Sequence, residues 1–344
     1  TMAIGYQALY SQNGDTETMG NSGLGFSAGY YNVTGTLNTW VGYQAGQGAS
    51  GQSNSQNTGV GYRAGYSITT GGNNTFLGRQ TGLVMTDGAD NTFVGMNAGA
   101  GTISGTKMVA IGNQSLYANA TTAATGTVAI GYSALNALTS GAENVAIGYE
   151  SSKLLTTGDG NTVIGHGAFI AADGAESSNV VIGKTAGQAM NNDLSNHNVI
   201  IGTGAFGGGT GQQNQNVAIG YFALGSVGDN AHTGSVAVGS NALGALTSGA
   251  NNLAIGFEAL KGHTTGNRNI AIGNGAMDGN GGATVNNSND NTFLGFDAGG
   301  GTWTTAVCQH NVGIGNYALD GDMNDANYNT ADGYGSLGDM VSGD

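Results

Sequence analysis

Apolar residues in this chain fall into short alternating runs, each closed by a glycine. One copy is Val145-Ala146-Ile147-Gly148; Val128-Ala129-Ile130-Gly131, Val217-Ala218-Ile219-Gly220 and Leu253-Ala254-Ile255-Gly256 are others. Alternation with a period of two over so few residues predicts a short β-strand with two unlike faces. Anchored on the closing glycine, the runs recur nineteen times between Gly5 and Gly333, at gaps of 17 to 22 residues with 17 the commonest. A period of this size, held from end to end, predicts a solenoid in which each repeat is one coil stacked on the next. The expected fold is therefore all-β, a parallel β-solenoid of about nineteen coils of 17–22 residues.

Each position of the repeat has its own chemistry. Ile, Leu or Val precedes the anchor glycine in every unit but the last, where Asp332 stands. Two residues earlier comes a β-branched residue in most units, such as Thr92, Val145, Val199 or Ile270. Between them sits Ala, Gly or an aromatic ring (Trp40, Phe76, Phe93, Phe293). Because β-branched side chains pack well on a pleated surface, that face is expected to line the thin core. The small or flat face is expected where another backbone approaches. Four residues before the anchor stands Asn in fifteen of the nineteen units, among them Asn74, Asn91, Asn144, Asn161, Asn216, Asn252 and Asn291. Stacked at one corner, such amides can hydrogen-bond from coil to coil. Three residues after the anchor, Ala occupies fifteen units and Ser or Thr the rest, so that position is tightly packed. The motifs Leu138–Gly141, Leu155–Gly158 and His263–Gly266 read as exposed turns at the coil tips.

The chain has no proline among 344 residues, as a stack requires when nearly every strand N–H bonds to a neighbouring coil. Nineteen coils at ~4.8 Å would make a rod of roughly 90 Å. A coil this narrow encloses about one layer of aliphatic side chains, little core for a solenoid standing alone. Three coils side by side would bury the small-residue face, so an obligate oligomer is expected.

Charge narrows the function. Seven Lys and Arg against twenty-one Asp and Glu leave a net charge of −14, with no basic stripe to neutralise phosphates or an anionic membrane surface. Neither nucleic-acid binding nor membrane insertion is expected; no window approaches ~18 uninterrupted apolar residues. The single cysteine, Cys308, reads as a buried neutral thiol. No signal peptide is visible, since Thr1 falls inside a repeat; any targeting segment is expected to have been removed or to lie outside this chain. No composition break divides the chain, so residues 1–344 read as a single repeat domain, with a degenerate last coil, about 316–344, that caps or joins. The open ladder edge at Thr1 is expected to pair with something, head-to-tail stacking of copies included.

The segment Ser235–Ser240 (SVAVGS) and the NVAIG runs ending at Gly148 and Gly220 resemble the head repeat of trimeric autotransporter adhesins. That unit reads approximately Asn-Ser-Val-Ala-Ile-Gly-x-x-Ser. Thr1–Tyr10 (TMAIGYQALY) is similar, almost letter for letter, to repeats of bacteriophage tail-fibre proteins. The resemblance implies a left-handed β-roll, a side-by-side homotrimer, and an extracellular setting on a cell-surface appendage or a virion tail fibre. It implies a structural role: a fibre or filament that spaces or presents an adhesive surface. The chain departs from the adhesin pattern in its longer coils, in Ala where the later Ser stands, and in the lack of a following coiled-coil stalk or membrane anchor.

Candidate chemistry is sparse. The histidines His166, His197, His232, His263 and His310 occupy different repeat positions, and no serine sits in a nucleophile elbow, so catalysis is not expected. Directly after the anchor, ten units carry an aromatic ring, including Tyr6, Tyr43, Tyr62, Tyr132, Tyr149 and Tyr221. Such a ladder suits cell-surface glycans if it faces solvent, or an interface between chains of the oligomer if it does not. Arg79, Lys184 and Asn274 interrupt it. Near the C-terminus, Asp320, Asp322 and Asn324 alternate as oxygen ligands of a calcium loop would. Asp325 stands where the turn glycine belongs and no Glu closes the loop, so a solvated coil end without a cofactor is the competing reading.

Overall fold

The computed structural model of the protein describes residues 1–13, 19–118, 120–121, 124–279, 288–303 and 307–338. Among these residues the fold is all-β, with no α-helix. Two compact units, Thr1–Ala175 and Glu176–Asp344, each carry a ladder of short parallel strands. In the first unit the strands are β1 (Met2–Ile4), β2 (Ser22–Leu24), β3 (Thr39–Val41), β4 (Thr58–Val60), β5 (Thr75–Leu77), β6 (Thr92–Val94), β7 (Val109–Ile111), β8 (Val128–Ile130), β9 (Val145–Ile147) and β10 (Thr162–Ile164). The second unit has β11 (Val180–Ile182), β12 (Val199–Ile201), β14 (Val217–Ile219), β16 (Val236–Val238), β17 (Leu253–Ile255), β18 (Ile270–Ile272), β19 (Thr292–Leu294), β20 (Val312–Ile314) and β21 (Thr330–Asp332). There β13 (Gln213–Asn214) and β15 (His232–Thr233) form a separate parallel pair. Nine pairings in the first unit and eight in the second close seventeen turns of parallel β-solenoid. Equivalent residues pair in register, so Val128, Val145 and Thr162 lie in one row and Ile130, Ile147 and Ile164 in another.

The faces of the strands are the reverse of the sequence-based expectation. In nearly every strand the middle residue is buried and its neighbours are not. Trp40, Phe76, Phe93, Ala110 and Ala129 have no exposed surface, whereas Leu77 is 48% and Ile111 37% exposed. At the strand centres the small or flat residues, joined by Val163, Val181 and Ile200 in β10 to β12, face the core, and the residues on either side of them point out of the coil. A three-residue strand in a narrow coil turns only its central side chain inward. The space inside is too thin for a Val or Ile from every position.

Core volume is matched by pairs within many coils, and between adjacent coils at Gly59, where a β-carbon would overlap the Trp40 ring of the coil before. Where the strand centre is a large ring, the residue six positions on is glycine: Trp40 with Gly46, Phe76 with Gly82, Phe93 with Gly99, Phe293 with Gly299. A β-carbon on Gly82 would overlap the Phe76 ring. Where the centre is Ala, that later residue is a leucine in seven of nine coils, such as Ala110 with Leu116, Ala129 with Leu135, Ala237 with Leu243 and Ala254 with Leu260, all fully or almost fully buried; Ser152 follows Ala146 and Met277 follows Ala271. These leucines accept a left-handed backbone, Leu116 at φ 50° and Leu135 at 47°. Filling the slot offsets the strain of that conformation.

The anchor glycine answers to two constraints. At Gly112 φ is +128°, and a β-carbon would stand 2.5 Å from the carbonyl oxygen of Gly131 in the next coil. No L-residue satisfies both. At the following position but two, Ala28, Ala45, Ala64, Ala98 and Ala134 are fully buried. The asparagines form a buried amide ladder. The main-chain N–H and Nδ2 of Asn74 both donate to Oδ1 of Asn57, each at 3.0 Å, while Asn74 Nδ2 also donates to the Gly88 carbonyl at 2.8 Å. Asn91 repeats this on Asn74, Asn161 on Asn144, Asn216 on Asn198, Asn269 on Asn252 and Asn291 on Asn269. The turns read as exposed tips are only partly so: Leu138, Leu155 and His263 point inward and are buried, closing the core at that corner.

Candidate functional site

The outward sheet face is the largest feature of each ladder. Its rows hold the residue before the anchor glycine and the one two positions earlier, in register from strand to strand. Val60, Leu77, Ile111 and Ile164 in the first unit, and Ile255 and Ile314 in the second, are all more than a third exposed. Asp332 in β21 is the one charged residue in these strands. Ten strands at ~4.8 Å and about 10 Å of strand length give the first unit an uncharged face of roughly 450 Å². One of its rows is aliphatic throughout, from Ile4 to Ile164, and the other holds Ser or Thr in six of the ten strands. An exposed aliphatic row of this kind commonly marks a contact surface.

Beside this face runs the aromatic column. Tyr6, Phe26, Tyr43 and Tyr62 stack at centroid distances of 5.3, 5.1 and 5.5 Å with interplanar angles of 19°, 11° and 10°. Tyr132, Tyr149 and His166 form a second stack at 5.1 and 4.9 Å. Tyr221 meets Phe222 edge to face at 4.5 Å. The six tyrosines in this column are 40–67% exposed. Within a stack the ring faces are turned on one another, so solvent meets ring edges rather than the open faces on which a sugar ring would lie.

The first stack ends in two guanidinium groups. Arg63 lies 5.3 Å from the Tyr62 ring centroid and 5.0 Å from that of Tyr66, and its Nε donates to Gln44 Oε1 at 2.9 Å. Arg79, one coil on, lies 5.9 Å from the Tyr62 centroid. Among the described residues the ion pairs are Lys153–Glu150, Lys261–Glu258 and Arg268–Asp290, and neither Arg63 nor Arg79 belongs to one.

The remaining sequence candidates are dispersed. Asp320 is half-buried, and burial, followed by the charge of Asp297 in the preceding coil, pushes its carboxyl above the usual carboxylate range. Asp322 and Asn324 are exposed. His166 and His310 stack on tyrosines. His232 and His263 are buried; desolvation lowers the pKa of both, that of His263 to about 3. His263 packs edge to face on Trp303 at 4.9 Å. Cys308 is buried and in no disulfide, and burial raises the pKa of its thiol. Two open clefts of about 520 and 510 Å³ lie where glycine or alanine stands five residues after the anchor, one at Gly225 and Gly244, the other at Ala100. Among the described residues no helix is long and apolar enough to cross a membrane.

Sequence reasoning placed the outward rows inside the coil and so missed this face. The signal that could have found it is the middle residue. A position that admits Ala, Gly, Phe and Trp in different coils is one whose volume is compensated elsewhere, which is a property of a core.

No family model, curated protein or solved structure matches this chain.

Proposed function

We propose that the chain is the repeated, structural part of an extracellular fibre or filament. In this reading the solenoids pack side by side as a homotrimer through their outward sheet faces, and the assembly spaces or presents an adhesive surface on a cell-surface appendage or a virion tail fibre. The left-handed coil and the threefold association come from the resemblance of the repeat to adhesin heads and tail-fibre repeats. The observation that carries the reading is the in-register outward face, nearly free of charge in a chain of net charge −14, with one row aliphatic in every strand of the two ladders but β21. An aliphatic row of this kind gains about 25 cal/mol per Å² when it leaves water. A second copy offers the same corrugation at the same ~4.8 Å step, so ridges of one ladder fit grooves of another.

Native mass by light scattering with size exclusion tests this. Three chains per particle are expected for the wild type. Ile130→Lys with Ile147→Lys, two outward positions, should give single chains whose far-ultraviolet circular dichroism is unchanged. A wild type that is monomeric across accessible concentrations defeats the reading. Negative-stain images of the same fractions show whether the particles also join end to end.

A further inference from the structure

We propose that Arg63 and Arg79, set at the end of the Tyr6–Tyr62 stack, form a recognition site for a carboxylate-bearing saccharide. The local charge is the opposite of the global one. From residue 18 to residue 86 the sequence contains no Asp or Glu, and Arg63 and Arg79 are its only charged residues. That stretch covers four coils of a chain that carries twenty-one acidic residues in all. Two of the chain's three arginines thus sit together with neither in an ion pair among the described residues, both within 6 Å of one tyrosine ring centroid. The third arginine shows what a neighbouring carboxylate does with such a group. Arg268 donates through Nε to Asp290 Oδ1 at 2.6 Å and through Nη2 to Oδ2 at 2.8 Å, a two-point fork across coils. Arg63 and Arg79 have rings beside them instead, with Gln44 accepting from Arg63 Nε and Met96 Sδ from Arg79 Nη1, all neutral partners that orient a guanidinium and leave its charge and its remaining N–H groups for a ligand.

The surroundings select the ligand class. The two arginines belong to successive coils but not to one column: Arg63 stands two residues after Gly61 and Arg79 one residue after Gly78, so a step of ~4.8 Å along the stack is joined by an offset of one residue across it. A linear polyuronate carries a carboxylate and several hydroxyl groups on every sugar, which can engage the guanidinium groups and the tyrosine hydroxyls beside them together. An extended acidic peptide offers carboxylates without those hydroxyls. The exposed edges of Tyr43 and Tyr62, with the half-buried Tyr66, supply apolar contact and hydroxyl groups beside the guanidinium groups. Because the chain as a whole is acidic, long-range attraction of a polyanion is weak, and binding must come from these short-range contacts.

Calorimetric titration of the full chain with hexagalacturonate, maltohexaose and hexaglutamate decides. The variants R63Q and R79N place at each position a residue that other coils already carry there, Gln44 and Gln80 or Asn113, so the fold is retained. Hexagalacturonate is expected to bind, the double variant to weaken it at least tenfold, and maltohexaose to give no heat. Arg63→Lys with Arg79→Lys, which keeps charge but loses the fork, should also weaken it several-fold. Absence of binding by hexagalacturonate, equal affinity in R63Q/R79N, or tighter binding of hexaglutamate would each overturn the proposal. Native mass is recorded for every variant. Should it change, the Tyr62 and Tyr66 ring signals of the wild type decide by nuclear magnetic resonance: shifts there on adding hexagalacturonate support the site, and shifts confined elsewhere refute it. The outcome is independent of whether the fibre reading holds, since a monomer presents the same two arginines.

Discussion

At the scale of single residues, the repeat is governed by backbone geometry more than by side-chain chemistry. Gly112→Ala puts a β-carbon against the Gly131 carbonyl and asks Ala to adopt φ +128°. Strain of this kind costs of order 1–3 kcal/mol before any clash is counted. Gly51, at φ +77° with nothing within 4 Å of a β-carbon, is the control: Gly51→Ala should cost only about 1 kcal/mol. Urea denaturation of the two variants should give a clearly larger loss for Gly112→Ala. Equal losses would mean the close approach between coils has no energetic weight. The sequence made both the anchor glycines and the asparagine column plain, because a backbone constraint admits few residue types and so leaves a sharp mark. It left the partners of Asn74 open, since an amide at a corner can bond to its own turn as well as to the next coil.

At the scale of the coil, packing is a matter of complementary volumes. Trp40→Ala empties a fully buried site and should cost about 3–5 kcal/mol. Gly46→Leu alone should be worse than neutral, because the Trp40 indole already fills that space. Together they recreate the Ala110–Leu116 pairing of the coil that carries β7, and Gly46 at φ +56° matches Leu116 at φ 50°. The double variant should therefore recover more than half of the loss, a coupling readable in a double-mutant cycle. Additive losses would refute the pairing. Strand positions and stacking direction were legible in the sequence, because a period of 17 to 22 residues allows little else. Which face was core was not. Val, Ile and Thr favour strands on either side of a sheet, so their presence marks the strand without saying which side is wet. The interlock of Trp40 with Gly46 was also hidden, as neither residue is unusual alone. Arg79 was visible only as an interruption of the aromatic column. Its meaning needed Arg63 and Tyr62 beside it in space.

At the scale of the whole molecule, two buried histidines make stability depend on pH. His263 is buried beside Trp303 with a pKa of about 3. The folded chain keeps it neutral while the unfolded chain takes a proton near pH 6.5. Its contribution is therefore complete above pH 6.5 and is lost as pH falls toward 3. At pH 5 the loss is about 2 kcal/mol. The lowered pKa of His232 adds in the same direction. Asp297 and Asp320, whose carboxyls burial raises, act in the opposite sense, and as partly exposed groups they contribute little. His263→Leu, the residue at the same place in the preceding coil (Leu246), should flatten the change in urea midpoint between pH 7 and pH 5. An unchanged slope would place the acid sensitivity elsewhere.

The register of the ladder has a consequence for how such a chain can change over time. Tyr132–Gly148 spans 17 residues and can be removed with Gly131 joined directly to Tyr149, leaving each remaining coil a partner of the same kind. Duplication of the same segment is as simple. Length in this architecture is a count rather than a measurement, and it can be edited one whole step at a time without rewriting any surface that a neighbour must recognise.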